Sequence, residues 1–311
     1  MFSTRSTSTL ISRIHFFSCL AIRKHSESQQ IRHVPVVDRL NEFLIDYTRK
    51  NRSTTSFMTL LEQLNSNANL RLPFVLPYEH LGRKNVTEKY DVTHGIVTVA
   101  HVLPSKDQVI LASGFAILDG GLIVTCAHTF YQAARHLSSS QPDHQSQSLV
   151  ITHEGEVIRV DTVQSHLVSS DLALLRLQQQ RKITSLPVDP YPAPVSTPLL
   201  SYEFLTATLS SISLPTISYS WKPADVLFYK DRCGNEAVPG TYDELISMIY
   251  SHPPANGSSG GPIVNKQMGS VVGIVRGSEM PFSNRKLVGF AIPSESLFEA
   301  FRLPGMPDHL E

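Results

Sequence analysis

A turn of small residues at 256–264, with the sequence NGSSGGPIV, most constrains what this chain can fold into. Its glycines permit positive φ angles and let backbone N–H groups come close to a ligand. A tight turn that presents one hydroxyl and several N–H groups suits acyl transfer, because the hydroxyl attacks a carbonyl and the N–H groups stabilise the resulting oxyanion. Turns rich in glycine and serine also occur as plain connections before strands, so this stretch alone leaves both interpretations open.

Two blocks upstream supply the partners that a serine nucleophile requires. Residues 122–128, LIVTCAH, form an apolar strand that runs into His128. Residues 169–177, SSDLALLRL, place Asp171 just before a second apolar strand. Serine is a poor nucleophile without a base, and the base needs a carboxylate that orients it. The pattern therefore predicts a catalytic set with Ser259 as nucleophile, His128 as general base and Asp171 as the orienting acid.

The three blocks resemble the TAAH, DIALL and GDSGGP blocks of the chymotrypsin/trypsin-like serine peptidases, in the family's order of His, Asp and Ser. The resemblance covers residues 91–296 and implies an all-β core of two six-stranded antiparallel β-barrels, with the catalytic residues in the cleft between them. It also implies an oxyanion hole made by the backbone N–H groups of Gly257 and Ser259. A further implication is a strand that pairs with an extended peptide substrate, formed by Ile274, Val275, Arg276 and Gly277.

The chain departs from the trypsin-like pattern at two positions. Ser258 stands where those proteins have an Asp that pairs with a newly freed N-terminal ammonium, so this activation switch is not expected. Pro253 occupies the position of the pocket floor, so a preference for Lys or Arg side chains is not expected either. The segments SGF at 113–115 and GFAIP at 289–293 resemble HtrA-like relatives, but no PDZ module is expected because too little chain follows residue 296.

Composition argues against several other classes of protein. Lys plus Arg and Asp plus Glu both number 27, so no overall electric field favours nucleic acid. No apolar run is long enough to predict a membrane-spanning helix. Three cysteines, Cys19, Cys126 and Cys233, are too few for the disulfide framework of a secreted peptidase, although a Cys126–Cys233 pair stays open. Cys126 lies close before His128, but a zinc site needs three or four ligands, so neither a metal nor another cofactor is expected.

The chain before residue 91 has no counterpart in the family resemblance. Residues 1–26 are rich in Arg and Ser and contain no acid, a composition typical of a mitochondrial transit peptide. A disordered basic tail and a cytoplasmic location are the alternatives. Residues 27–90 are predicted to form an α-helical N-terminal extension, because apolar residues recur at three- and four-residue steps between 34 and 64. This extension is expected to pack against the barrels, with a propeptide or a partner-binding arm as the alternative.

The remaining chain divides into two barrels and a tail. Short strands rich in β-branched residues predict a first barrel at 91–186, which carries two of the three catalytic candidates. Prolines crowd residues 187–198, which are therefore predicted to be the linker. The second barrel is predicted at 199–296, with an insertion at 221–245 where charge and glycine accumulate. Residues 297–311 form the C-terminal tail.

These features favour a serine endopeptidase that hydrolyses polypeptides through an acyl-enzyme intermediate. Two alternatives remain open: a catalytically silent scaffold that binds extended peptides, and an HtrA-like chaperone in which holding unfolded chains matters more than cleavage. The partner in each case is a polypeptide. Arg276 could favour acidic substrate side chains or simply form an ion pair, and the sequence sets neither the substrate preference nor the oligomeric state.

Overall fold

Strands are the commonest regular elements of the described chain, because its segments are rich in the β-branched and apolar residues that favour them. The computed structural model describes residues 36–51, 53–73, 92–118, 120–137, 145–178, 183–209, 214–241, 243–280 and 286–302. All of these lie in one unit that spans Val34–Glu311. The predicted transit peptide at 1–26 lies outside the described residues, as does the end of the predicted tail at 303–311.

The first barrel closes six antiparallel strands in the order β1-β2-β3-β6-β5-β4. The elements are β1 (Ile96–Leu103), β2 (Gln108–Ile117), β3 (Leu122–Cys126) and the helix α3 (His128–Ala134) that follows it, β4 (Gln147–Thr152), β5 (Val157–Leu167) and β6 (Leu172–Leu177). Every residue of β1 is buried, because alternate side chains enter two different apolar clusters. Val99 shares one cluster with Phe57, whereas Val102 shares the other with Leu40.

The second barrel closes six further antiparallel strands in the order β7-β8-β10-β13-β12-β11. The elements are β7 (Pro198–Leu209), β8 (Pro215–Lys230), β9 (Glu236–Ala237), β10 (Ser247–Tyr250), β11 (Pro262–Asn265), β12 (Val271–Glu279), β13 (Val288–Pro293) and the short helix α4 (Glu295–Phe298). The strand β9 pairs with β8 alone and lies outside the closed ring. The two six-stranded antiparallel barrels confirm the predicted fold class.

The insertion predicted at 221–245 is wrong for its first part, because β8 continues through it to Lys230. β8 pairs with β7 as far as Asp225, and the rest of β8 pairs with β10. Exposed and buried residues alternate here, so Ala224 and Val226 are buried while Asp225 between them is exposed. One face of an antiparallel sheet is commonly exposed to solvent and carries polar residues. In the sequence, these polar residues resemble those of a loop, which explains the wrong prediction.

Two helices of the N-terminal extension pack on the barrels and confirm the predicted α-helical extension. α1 (Val36–Lys50) buries Leu40 and Leu44 in a cluster that draws on strands of both barrels. α2 (Phe57–Ser66) buries Phe57 completely in a cluster of the first barrel. No helix in the described part of the chain is long and apolar enough to cross a bilayer. Because both helices bury apolar side chains in these clusters, they are part of the hydrophobic core.

The chain after α2 runs on as a strap, residues 67–72, which bridges distant parts of the fold. Ala68 forms a parallel bridge with His166 of β5, and Leu72 forms one with Phe301 near the C-terminal end of the described chain. The N–H of Leu72 also donates to a main-chain carbonyl beside Phe301, at 2.7 Å. The strap thereby links the first barrel to the segment that follows the second.

The predicted linker at 187–198 is held by the second barrel. Val188 forms a parallel bridge with Val271 of β12. The hydroxyl of Tyr229 donates to the carbonyl of Ala193 at 2.6 Å. The domain boundaries themselves stay predictions.

Candidate active site

His128 and Asp171 meet at one end of the first barrel. β3 pairs with β6 in a register that sets Cys126 opposite Leu172, so the residue after β3 and the residue before β6 lie close together. The N–H of Ala127 donates to the carbonyl of Asp171 at 2.8 Å and joins the two segments. Asp171 has a left-handed φ of 59°, a strained backbone conformation of a kind that recurs at functional sites.

Each carboxylate oxygen of Asp171 accepts a hydrogen bond from His128. Nδ1 of the ring lies 2.6 Å from Oδ2, and the main-chain N–H donates to Oδ1 at 2.8 Å. Only 17% of the His128 side chain and 12% of the Asp171 side chain are exposed. With its proton on Nδ1, the neutral ring carries a lone pair on Nε2, which has no hydrogen-bond partner among the described residues. Nε2 of His128 is therefore available to accept a proton.

Asp171 is ionised in this environment. Burial alone raises the pKa of its carboxyl, but the hydrogen bonds from His128 and the charges of His128 and Arg276 outweigh burial and hold the pKa below its ordinary value. Arg276 acts directly, since its Nε lies 3.1 Å from Oδ2 of Asp171. At neutral pH the carboxylate is thus the form that orients an imidazole.

The hydroxyl of Ser259 belongs to the same network but does not contact His128 through a hydrogen bond. Its Oγ donates to the carbonyl oxygen of Arg276 at 3.2 Å, and among the described residues Oγ forms no other hydrogen bond. Arg276 therefore holds Ser259 through its main chain and Asp171 through its side chain. Proton transfer to His128 requires the hydroxyl to leave this carbonyl, and side-chain rotamers interconvert on a fast timescale.

Two glycines in the left-handed region shape the turn around Ser259. Gly257 has a φ of 86° and Gly260 a φ of 87°. A Cβ on Gly257 would lie 2.7 Å from a ring carbon of Phe204. A Cβ on Gly260 would collide with the carbonyl oxygen of Ser113. Both the backbone conformation and the lack of space therefore require glycine at these two positions.

Ser113 of β2 ties this turn to the first barrel. Its N–H donates to the carbonyl of Ser259 at 2.8 Å, and its Oγ donates to the carbonyl of Gly257 at 2.7 Å. This role of Ser113 was not predicted, because no local pattern places β2 against the turn. The available signals were a serine within a mainly apolar strand and the resemblance of the segment SGF at 113–115 to HtrA-like relatives.

The turn leaves two N–H groups unused. Within the described residues, the main-chain N–H groups of Gly257 and Ser259 have no acceptor. Between them, the N–H of Ser258 donates to the carbonyl of Ala255 at 3.2 Å. Preorganised N–H donors without a partner are what a developing oxyanion requires. This arrangement suits the predicted oxyanion hole.

Ser258 is fully buried and connects the turn to the second barrel. Its Oγ accepts a hydrogen bond from the main-chain N–H of Phe204 at 3.0 Å. A neutral hydrogen bond therefore takes the place of the ion pair that an Asp would make at this position.

The four residues of the predicted substrate strand fall into two groups. Ile274 and Val275 are fully buried, and Ile274 pairs with both β11 and β13. Arg276 and Gly277 are half-buried, and from Arg276 onward β12 has a partner strand on the β13 side alone within the described residues. An added peptide strand can pair only from Arg276 onward, so Arg276 and Gly277 lie at the open edge and the other two do not.

Three potential metal ligands, on Cys126, His128 and Asp171, lie within 4.8 Å of one another. The thiol is fully buried and donates to the carbonyl of Val275 at 3.3 Å. Burial raises the pKa of this thiol well above its ordinary value, and the charge of Asp171 adds to the effect. The guanidinium of Arg276 also repels a cation at this point. In this structure the thiol bonds to a main-chain carbonyl and the carboxylate bonds to His128 and Arg276, and Cys126 packs as a small apolar residue.

Cys126 and Cys233 do not pair. Both are free thiols, with Cys126 buried and Cys233 exposed. The disulfide that the sequence left open is therefore not formed.

Comparison with known sequences bears on the same region. A family model described as a trypsin-like peptidase domain matches residues 112–274. This stretch is more than half of the chain, and it includes His128, Asp171 and Ser259. A search of curated proteins returned no significant match.

Solved structures of a bacterial protease show a distant likeness. The active form of the Rv3671c protease from M. tuberculosis is 18% identical, covers 66% of this chain and 78% of its own, and has a TM-score of 0.44. The inactive form of the Rv3671c protease is 16% identical, covers 66% of this chain and 86% of its own, and also has a TM-score of 0.44. At such low scores these structures carry no weight, and the assignment rests on the matched domain. The chain belongs to the trypsin-like peptidases, a family of serine-type hydrolases.

Proposed function

We propose that this peptidase cleaves bonds inside polypeptides with Ser259 as nucleophile, His128 as general base and Asp171 as the orienting carboxylate. The observation that carries the proposal is the His128–Asp171 pair, with Nδ1 and Oδ2 2.6 Å apart and Nε2 unoccupied. Ser259 supports it, because its turn offers unused N–H donors and its hydroxyl lies on the same network through Arg276. No metal or cofactor enters this chemistry.

The steps follow from these contacts. The Ser259 hydroxyl leaves the Arg276 carbonyl and turns to Nε2 of His128, which takes the proton as the oxygen attacks the scissile carbonyl. The N–H groups of Gly257 and Ser259 stabilise the oxyanion. His128 then returns the proton to the leaving amine as the peptide bond breaks, and the acyl group stays bonded to Ser259 as an acyl-enzyme. Water, activated by His128 in the same way, then attacks the acyl group and releases it. Asp171 stabilises the imidazolium throughout.

The substrate is proposed to bind as an extended strand along the open edge of β12. The edge begins at Arg276, whose carbonyl holds the Ser259 hydroxyl in the free protein. An N–H group of an incoming peptide competes for that carbonyl, so substrate binding itself favours release of the hydroxyl toward His128. Main-chain pairing tolerates many side chains, and selectivity then depends on the pocket.

A fluorophosphonate probe tests the nucleophile directly. The wild-type protein is expected to label at Ser259, and the Ser259→Ala variant is expected to lose both labelling and peptide cleavage. By analogy with other triads of this family, Asp171→Asn is expected to lower turnover by roughly 10⁴-fold. Cleavage of a peptide library by wild type and the alanine variant would define the side-chain preference. Labelling that persists in Ser259→Ala would overturn the assignment.

One observation favours a second candidate, a peptide-binding scaffold of the silent or HtrA-like chaperone kind. The Ser259 hydroxyl donates to Arg276 rather than to His128, so the nucleophile is not engaged with its base in the free protein. A scaffold predicts that wild type resists the probe and that Ser259→Ala suppresses aggregation of an unfolded client as well as wild type does. A peptidase predicts labelling and cleavage by wild type alone.

We also propose import into mitochondria, on the basis of the acid-free, Arg- and Ser-rich composition of residues 1–26. Fusion of these residues to a fluorescent reporter is expected to direct the reporter to mitochondria. A matched fusion in which the arginines of the segment are replaced by glutamine is the control. A cytoplasmic reporter in the first fusion would favour the alternative location.

A further inference from the structure

Arg276 occupies a bulge in β12. The pairing of β12 with β13 runs from Val275 opposite Ala291 directly to Gly277 opposite Phe290, so Arg276 has no partner residue on that strand. Bulges re-aim side chains and are frequent beside active sites. Here the bulge allows the side chain of Arg276 to reach Asp171 in the other barrel.

The guanidinium of Arg276 is held from two sides. Its Nε donates to Oδ2 of Asp171 at 3.1 Å, and this is the oxygen that also accepts Nδ1–H of His128. Its central carbon lies 5.0 Å from the centroid of the Phe290 ring, a cation–π distance. Only 28% of the Arg276 side chain is exposed. A guanidinium fixed in this way cannot easily turn toward a substrate, so its charge is committed to Asp171.

Arg276 is the permanent cation at the carboxylate. Within the described residues, His128 and Arg276 are the two basic groups in ion-pair distance of Asp171. The other titratable groups that face it are Cys126 of β3, Tyr131 of α3 and His166 of β5. Burial raises the pKa of the Cys126 thiol and of the Tyr131 hydroxyl and lowers the pKa of the His166 ring, so all three are neutral near pH 7.

We propose that Arg276 is a positioning residue of the catalytic site that extends peptidase activity to lower pH. The inference rests on the proposed function and adds a residue that the family's catalytic set does not contain. A fixed positive charge beside the pair formed by His128 and Asp171 opposes the uptake of a proton by that pair. The same contact keeps the carboxylate aimed at the ring.

The acid limb of kcat/KM measures this effect. With Arg276→Gln, the midpoint of the acid limb is expected to move up by about one pH unit, because loss of the cation bonded to Oδ2 of Asp171 makes it easier for the pair to take up a proton. The ratio of activity at pH 6 to activity at pH 8 then falls by up to about tenfold. Arg276→Lys keeps the charge and is expected to restore most of the wild-type ratio. Arg232→Gln, which removes an exposed arginine paired with Glu244, is the matched control and is expected to leave the ratio unchanged.

A second measurement separates this proposal from the proposed function. In the Ser259→Ala background, NMR titration of the His128 ring reports proton uptake by the pair without any need for activity. Adding Arg276→Gln to that background is expected to raise the midpoint by about one unit. Equal midpoints in the two proteins would overturn the role of Arg276, even if wild type cleaves peptides. A raised midpoint in a protein that resists the fluorophosphonate probe would support Arg276 while the peptidase proposal fails.

Discussion

Arg276 and Asp171, which come from different barrels, are joined by a hydrogen-bonded ion pair of 3.1 Å. The main-chain carbonyl of Arg276 also accepts the hydroxyl of Ser259, so one residue reaches both ends of the proposed catalytic set. A peptidase of two barrels must align side chains from each across a cleft. In this protein, a bulged arginine forms one of the direct connections across it.

The contact of Ser113 with the nucleophile turn predicts an effect on turnover. Ser113→Ala removes the hydrogen bond to the carbonyl of Gly257, which is 2.7 Å long. A hydrogen bond of this kind is worth about 1 kcal/mol, and if the turn holds the N–H donors less well in the transition state by that amount, kcat falls about fivefold with little change in KM. Ser165→Ala is the matched control, because Ser165 is also a buried serine of the first barrel and its Oγ also donates to a main-chain carbonyl, that of Leu70, at 2.6 Å. Equal kcat values for Ser113→Ala and wild type would contradict a role for this hydrogen bond in turnover.

Gly257 is expected to tolerate no side chain. Gly257→Ala places a Cβ 2.7 Å from the ring of Phe204 at a φ of 86°, so the turn must shift and carry its N–H donor with it. Loss of one oxyanion donor typically lowers kcat by roughly 10²- to 10³-fold. Gly240→Ala is a matched control, because Gly240 has a φ of 80° but no atom within 4 Å of the added Cβ. A Gly257→Ala variant as active as Gly240→Ala would argue against the proposed hole.

The N-terminal extension is expected to be indispensable for stability. Phe57 of α2 is fully buried and stacks on Phe130 with ring centroids 6.0 Å apart. Phe57→Ala is therefore expected to lower the free energy of unfolding by about 3–5 kcal/mol in a urea titration. Glu62→Ala, on the exposed side of the same helix, should change it by less than about 0.5 kcal/mol. An unchanged stability in Phe57→Ala would instead favour a removable propeptide.

Acid is expected to destabilise the protein through His101. The ring is fully buried, with Nδ1 2.9 Å from Ser148 Oγ and Nε2 3.1 Å from Thr129 Oγ1, and burial lowers its pKa from 6.5 to about 3. Below pH 6.5 the His101 ring takes up a proton in the unfolded chain but stays neutral in the folded protein. The contribution of the neutral His101 ring to the free energy of unfolding is therefore fully present above pH 6.5, and it falls toward pH 3 by up to about 1.4 kcal/mol per pH unit.

Urea titrations at pH 7, 6 and 5 test this pH dependence. His101→Gln is expected to be less stable at pH 7 but to show a shallower decline toward pH 5 than wild type. His136→Gln, which replaces an exposed histidine, should keep the wild-type slope. Equal slopes for His101→Gln and wild type would show that other groups govern the acid response.

Several features of the fold could be predicted because they are local. Alternating apolar residues indicated the strands, and three- and four-residue spacing indicated the two helices of the extension. The prediction of an insertion was wrong at 221–230, because a strand with one solvent-exposed face carries charged residues such as Asp225 and so lacks a continuous apolar pattern. The location of the protein and its domain boundaries stay predictions.

The contacts around the site could not be read in the same way. Ser113 and Gly257 are separated by 144 positions, and Arg276 and Asp171 by 105. The sequence left two roles open for Arg276, a preference for acidic substrate side chains or an ion pair, and only the fold shows that its guanidinium is paired with Asp171. The strap, residues 67–72, also carried no motif, although it holds His166 on the strand that leads toward Asp171.

The chain's own residues determined the chemistry that this protein can attempt. A serine in a glycine turn, a histidine after one strand and an aspartate before another are each specified within a few neighbouring positions. The tertiary structure alone decided which carbonyl holds the serine hydroxyl, which cation holds the carboxylate and which barrel anchors the turn. These outcomes depend on strand register and on one bulge, since a shift of a single residue turns every side chain of a strand to the opposite face.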